Sequence, residues 1–214
     1  LLHALRRNID LKILLFNNKI YGLTKGQYSP TSEMGIVTKS TPFGSVDAPF
    51  NPLSVAIGSG ATFVARTVDI LGSHMREVLA AAAAHPGTAV VEILQNCVIF
   101  NDGAWQPVVA KDVRDDRLIS VKDGEPLVFG KEQDKGMIWD SNRLRSVSLG
   151  EHDDALGKVI EQKDLVVWNA KDECPTLAFG ITHMQQQTDP TAIGVFRAIS
   201  DCPSYDHLVT KQIE

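Results

Sequence analysis

Apolar residues fall in short unbroken runs separated by polar, glycine-rich stretches, and the runs alternate with segments of helical character. LKILLFN (Leu11 to Asn17), ATFVAR (Ala61 to Arg66) and TAVVEILQN (Thr88 to Asn96) are continuous and short. That pattern predicts parallel strands buried on both faces. Between them, PLSVAIG carries Pro52 where a first helical turn accepts it, with Gly58 and Gly60 near its end. HMREVLAAAAAH (His74 to His85) is alanine-rich and closed by Pro86 and Gly87, a strong helix signal. The opening LLHALRRNID reads as part of an amphipathic helix with Leu1, Leu2 and Leu5 on one face. Ser32 to Asn51, rich in Gly, Pro, Ser and Thr, reads as a long loop. The order helix, strand, loop, helix, strand, helix, strand predicts an α/β fold with a mostly parallel sheet flanked by helices.

Past Cys97 the pattern changes. Lys111 to Gly150 is charged and punctuated by glycine, and LISVKDG, PLVFG and LRSVSLG predict small antiparallel strands. ALGKVIEQK predicts one weak helix, and TAIGVFRAIS forms a final apolar stretch. A division at residue 104 is expected, with residues 1–104 as one domain and 105–214 as a small C-terminal extension.

Composition narrows the function. The chain has 214 residues, 43% of them apolar, enough for a sizeable core. A net charge of −5 with scattered basic residues leaves no electrostatic footprint for nucleic acid. No apolar window has the length of a membrane span and no signal segment stands at the start, so a cytoplasmic protein without a membrane partner is expected. The three cysteines are far apart and form no CxxC pair, which suggests neither a disulfide framework nor a self-contained zinc site. The histidines show no metal-ligand spacing; His3, His74 and His85 are expected at the surface or at helix ends. Cys174 and Cys202, each before a proline, read as incidental, and Gln185 to Gln187 as a solvated surface. Ser29 and Ser32 lack the setting of a hydrolase nucleophile. Arg66, ending its strand, is expected either in an ion pair or facing a site.

The stretch FNNKIYGLTKGQYSPT (Phe16 to Thr31) carries the chemistry. It follows a strand, where ligands of open α/β sheets bind. Two asparagines supply neutral oxygens, and the turn through Tyr21 and Gly22 can expose backbone carbonyls. That donor type suits Mg²⁺ completed by phosphates and water.

IYGLTKGQYSPTS as a whole resembles the thiamine-diphosphate site in the β subunit of the 2-oxoacid:ferredoxin oxidoreductases. STPFGSVDAPFNP, GATFVAR, EILQNCVIFNDG and the late GVFR extend the resemblance over nearly all of the chain. It implies a thiamine-diphosphate-binding fold of the diphosphate type, incomplete at its N-terminus: the family motif opens with Gly-Asp-Gly, which would lie before Leu1. It further implies that the Asn18 side chain and the Ile20 carbonyl ligate Mg²⁺, and that Gly22, Leu23 and Thr24 lie against thiamine diphosphate. Cys97 would complete a [4Fe–4S] cluster whose other thiolates come from upstream. No catalytic side chain is expected within these residues.

Lys25 and Leu23 depart from the pyruvate-specific members, which have glycine and asparagine there. An ammonium at this place can meet a second substrate carboxylate, and its unpaired charge would disfavour a methyl-ended substrate. Both residues are therefore expected to select 2-oxoglutarate. The resemblance implies oxidative decarboxylation to succinyl-CoA with coenzyme A, single electrons passing to ferredoxin, and an α (or fused α/γ) subunit as partner. A non-redox thiamine carboligase and a catalytically inert interface module are the competing expectations; a carboligase has no need of a cluster thiolate at Cys97.

Overall fold

The computed structural model describes residues 1–184 and 188–214; Gln185 to Gln187 lie outside them. A short helix, α1 (Leu2–Arg6), leads into strand β1 (Lys12–Asn17). Helix α2 (Pro52–Gly58), strand β2 (Phe63–Val68), helix α3 (Gly72–Ala84) and strand β3 (Ala89–Leu94) follow, in the predicted order. Asn51 caps α2 by accepting from the Ser54 amide, with Pro52 in the first turn. Short helices α4 (Gln106–Val109) and α5 (Arg114–Arg117) precede β4 (Leu118–Val121). Then come β5 (Val128–Phe129), β6 (Lys135–Asp140), β7 (Arg143–Ser148), β8 (His152–Asp153) and β9 (Lys158–Val159). Helix α6 (Thr176–Thr182), strand β10 (Thr191–Ala198) and helix α7 (Tyr205–Ile213) end the chain.

The main sheet has the order β1-β3-β2-β10-β4. Its pairs are parallel except β10 with β2, so it is mixed but mostly parallel. Along β2 and β3 the side chains alternate between two packed layers. Phe63, Ala65, Ala89 and Val91 meet Val78 and Ala82 of α3, while Val64 and Val90 join Leu53, Ile57, Trp168, Phe196 and Met137 on the opposite face. The strands are buried on both sides because helices and the small antiparallel sheet β5-β6-β7 cover both.

Four expectations are corrected. LKILLFN is an edge strand rather than a strand buried on both faces: Leu14 is 45% and Phe16 60% exposed. Periodicity cannot tell an edge strand with apolar side chains from a central one. Leu1 and Leu2 are exposed and only Leu5 of the first helix reaches the core, because a single turn of helix cannot turn all three inward. LISV forms no small antiparallel strand; it is β4, parallel to β10 in the main sheet, and Ile119 and Val121 enter the main core. ALGKVIEQK is not helical. Gly157 takes a positive φ, the hairpin β8–β9 forms, and a 3₁₀ turn follows at Gln162–Asp164.

Candidate functional site

The site gathers where β1 and β3 end side by side, with Asn17 in register with Leu94. The two asparagines after β1 do different work. Asn17 is buried and fully engaged: its Nδ2 donates to Glu92 Oε1 (2.7 Å), and its Oδ1 accepts from Thr31 Oγ1 (2.7 Å) and the Lys19 amide (3.2 Å). Its carbonyl accepts from the Trp105 indole (2.9 Å) and the Gln95 amide (3.1 Å). These partners dictate which way the amide points. Asn18 is only half-buried; its Oδ1 accepts from the Ile20 amide (3.3 Å) and its Nδ2 donates to Gln95 Oε1 (3.2 Å).

From Ile20, which is buried, the chain turns outward. Tyr21 and Gln27 pair across the turn, and Gly26 donates back to the Tyr21 carbonyl (3.1 Å). Lys25 and Gly26 both take positive φ, +67° and +96°; for lysine this is an uncommon backbone region, held by that closed turn. Thr24 Oγ1 donates to the Tyr21 carbonyl (3.2 Å). Leu23 and Lys25 stand at the tip, Leu23 98% exposed.

Against this turn lies the segment after β3. A methyl group placed on Gly22 would sit 3.7 Å from the Cys97 sulfur, and one on Gly26 would press on Phe100 at 3.1 Å. Asn101 ties the two segments by donating from Nδ2 to the Asn18 carbonyl (2.9 Å). The fold thus brings the glycine-containing turn close to Cys97 from positions some 75 residues apart. Cys97 is a half-buried free thiol.

Beside the turn, a cavity of about 420 Å³ is lined by Asn17, Lys19, Thr31, Arg66, Glu92 and Trp105 among others. Glu92, in the middle of β3, is 2% exposed. Its Oε2 accepts from Arg66 Nε (2.7 Å), so Arg66 is in an ion pair and also faces the cavity. Lys19 lies over the Trp105 ring, 4.0 Å from its centre, and pairs with Glu33. Leu23 and Lys25 do not line this cavity. Sequence reasoning passed over Glu92, Lys19 and Trp105. The signal for Glu92 was present, as the one acid in an otherwise apolar strand, since a buried carboxylate needs partners.

The Asn18 side-chain oxygen and the Ile20 carbonyl are donors of the kind Mg²⁺ takes, but both are neutral, and two oxygens are part of a coordination shell. Among the described residues no group of three or more His, Cys, Asp or Glu side chains converges as a metal site. No helix among them is long and apolar enough to cross a membrane. His85 takes the helix-end place among those expected for it and is not at the surface. It is buried at the end of α3, where its Nε2 lies 2.8 Å from Thr62 Oγ1.

Residues 1–93 match the family described as thiamine pyrophosphate enzyme, C-terminal TPP binding domain. The chain is 46% identical, over all 214 residues, to 2-oxoglutarate oxidoreductase subunit KorB of Mycobacterium tuberculosis, covering 55% of that protein. It is 41% identical over 133 residues, 61% of the chain, to the β subunit of 2-oxoacid:ferredoxin oxidoreductase 1 of Aeropyrum pernix, covering 40% of it. Over 96 residues, 45% of the chain, it is 41% identical to 2-oxoglutarate synthase subunit KorB of Archaeoglobus fulgidus, covering 36% of it. The chain therefore spans about half, or less, of the length of these relatives. A solved 2-oxoglutarate:ferredoxin oxidoreductase from Magnetococcus marinus, with 2-oxoglutarate, coenzyme A and succinyl-CoA bound, shares the fold. Its TM-score is 0.65 at 23% identity, over 99% of this chain and 54% of that one.

Proposed function

Because the chain belongs to the β-subunit family of the 2-oxoacid:ferredoxin oxidoreductases, we propose that it is part of an enzyme that oxidatively decarboxylates 2-oxoglutarate to succinyl-CoA. The observation that carries the redox reading is the closeness of the glycine turn to Cys97, whose sulfur would lie 3.7 Å from a methyl group placed on Gly22.

Thiamine diphosphate, when bound, supplies the carbon nucleophile and the electron sink for decarboxylation. The chain supplies the cradle. The Asn18 side chain and the Ile20 carbonyl would hold Mg²⁺, which would supply charge to bind the diphosphate. Gly22 to Thr24, where the backbone carries no bulk at Gly22, lie along the cofactor. Lys25, carried to the loop tip by its positive φ, meets the distal carboxylate of the substrate as a point charge. Leu23 beside it offers no amide to a small oxoacid. Cys97 would be one of four thiolates holding a [4Fe–4S] cluster, which when bound would supply a one-electron carrier toward ferredoxin. An α subunit, or a fused α/γ subunit, and coenzyme A complete the assembly. A boundary at residue 104 separates the cofactor domain from the extension in this reading.

The test is turnover by the full-length subunit assembled with its partner, given coenzyme A and a one-electron viologen acceptor. The expected result is viologen reduction with 2-oxoglutarate at least tenfold faster than with pyruvate. A pyruvate preference would overturn the roles of Lys25 and Leu23, and no acceptor reduction with either substrate would overturn the redox reading in favour of a carboligase.

A further inference from the structure

We infer that Glu92 is the positioning residue of the cofactor loop, acting through Asn17 and Thr31 on residues it does not itself touch. This inference rests on the proposed thiamine-diphosphate site.

Three bonds run in series from the sheet to the loop. Arg66 Nε on β2 donates to Glu92 Oε2 on β3 (2.7 Å), and Asn17 Nδ2 at the end of β1 donates to Glu92 Oε1 (2.7 Å). Thr31 Oγ1, at the far end of the loop, donates to Asn17 Oδ1 (2.7 Å). Three strands and the loop are therefore joined through one carboxylate that solvent hardly reaches. Each oxygen of Glu92 has its own donor, so the carboxylate cannot rotate without leaving a buried partner unpaired. Held in this way, the Asn17 amide cannot flip, and only its oxygen faces Thr31.

The loop entry and exit are clamped by this chain and by two further bonds. Ser32 Oγ donates to the Lys19 carbonyl (2.5 Å), and the Ser29 amide donates to Ser32 Oγ (2.8 Å). Residues 20–28 thus form a loop whose two ends are fixed to the sheet. A loop fixed at its base gives up less freedom when it closes on a ligand, which raises affinity without adding a contact. That is the work assigned to Glu92: it holds the base of the loop on which ligand binding depends. The hydroxyl of Thr31, rather than a methyl, is required because it supplies the shorter of the two bonds to Asn17 Oδ1, 2.7 Å against 3.2 Å from the Lys19 amide.

The experiment is calorimetric titration of the cofactor-free holocomplex with thiamine diphosphate and Mg²⁺, with the melting temperature recorded for each variant. Thr31→Val cuts the outermost bond together with the Ser29–Thr31 hydroxyl contact (3.1 Å) and leaves the Arg66–Glu92 pair intact; it is expected to weaken binding at least fivefold with the melting temperature within 2 °C of wild type. Glu92→Gln is expected to weaken binding more, with a lower melting temperature, because the partner of Arg66 is lost. A Thr31→Val dissociation constant within twofold of wild type would overturn the inference whatever Glu92→Gln does. Absence of uptake by the wild-type complex would instead overturn the proposed site itself.

Discussion

In the proposed function, Lys25 is the residue on which substrate choice would turn. Its backbone stands in a region glycine occupies without strain, so Lys25→Gly relaxes the turn while removing the ammonium. In the intact complex this substitution is expected to lower kcat/KM for 2-oxoglutarate by about tenfold to a hundredfold, the range of a lost charge-assisted hydrogen bond, and to change pyruvate turnover far less. Equal losses on both substrates would make Lys25 a scaffold residue. His85 makes a second prediction, about stability. Burial, with Lys12 adding to it and Asp10 opposing, holds its imidazole below the ordinary histidine value. Burial lowers His74 in the same direction. Above about pH 6.5 both the folded and unfolded chains leave these rings neutral; below it the unfolded chain takes up protons first. Stability is therefore fully present above that pH and declines as the pH falls toward the folded values. The melting temperature of the intact subunit is expected to fall between pH 6.5 and 5. Thr62 gives its hydroxyl proton to Asn8 Oδ1 (2.7 Å) and so accepts from His85 Nε2. His85→Gln keeps a donor there without the titration, and a flatter melting profile checks the assignment.

At the level of the elements, β10 decides how the sheet is built. It pairs antiparallel with β2 and parallel with β4, and its register shifts between Val195 and Arg197. Gly194, just before the shift, has φ +118°, and a methyl group on it would stand 2.5 Å from the Val121 carbonyl oxygen. Gly194→Ala is expected to cost on the order of 3 kcal/mol, from backbone strain and the displaced strand. Thermal melting should register this as a loss of roughly 10 °C. The elements from Leu11 to Asn96 were legible in the sequence because each is a run or a period long enough to stand out, as with HMREVLAAAAAH. The edge position of β1 and the placement of β4 were not, because partners across 70 to 100 residues leave no local trace. In the site, the glycine turn, Asn18 and Cys97 were legible as a motif. Glu92 stood out as the one acid in an apolar strand, but its role, like that of Trp105, comes from hydrogen bonds to Asn17 that only folding creates.

For the whole molecule, the main core draws on both halves of the chain. Leu53, Val64 and Val90 pack in one cluster with Ile119, Met137, Trp168 and Phe196. A chain ending at Pro190 loses β10 and with it the neighbours of both β2 and β4. It is expected to show no cooperative thermal transition, because the loss of Phe196 and Ile193 from the core alone approaches the few kcal/mol by which proteins of this size are stable. A chain ending at Ser204, which gives up only α7, none of whose residues is fully buried, should still melt cooperatively. Equal behaviour of the two would show that β10 is dispensable to the core.

The place of β10 also sets a clock for synthesis. About 120 residues separate the end of β2 from the strand that pairs with it, so at ribosomal speeds of 5–20 residues per second the nascent FVARTV edge waits about 6 to 25 s for its partner. During that interval an apolar, β-branched edge is bare in a crowded compartment, and factors that shield nascent chains compete there with aggregation.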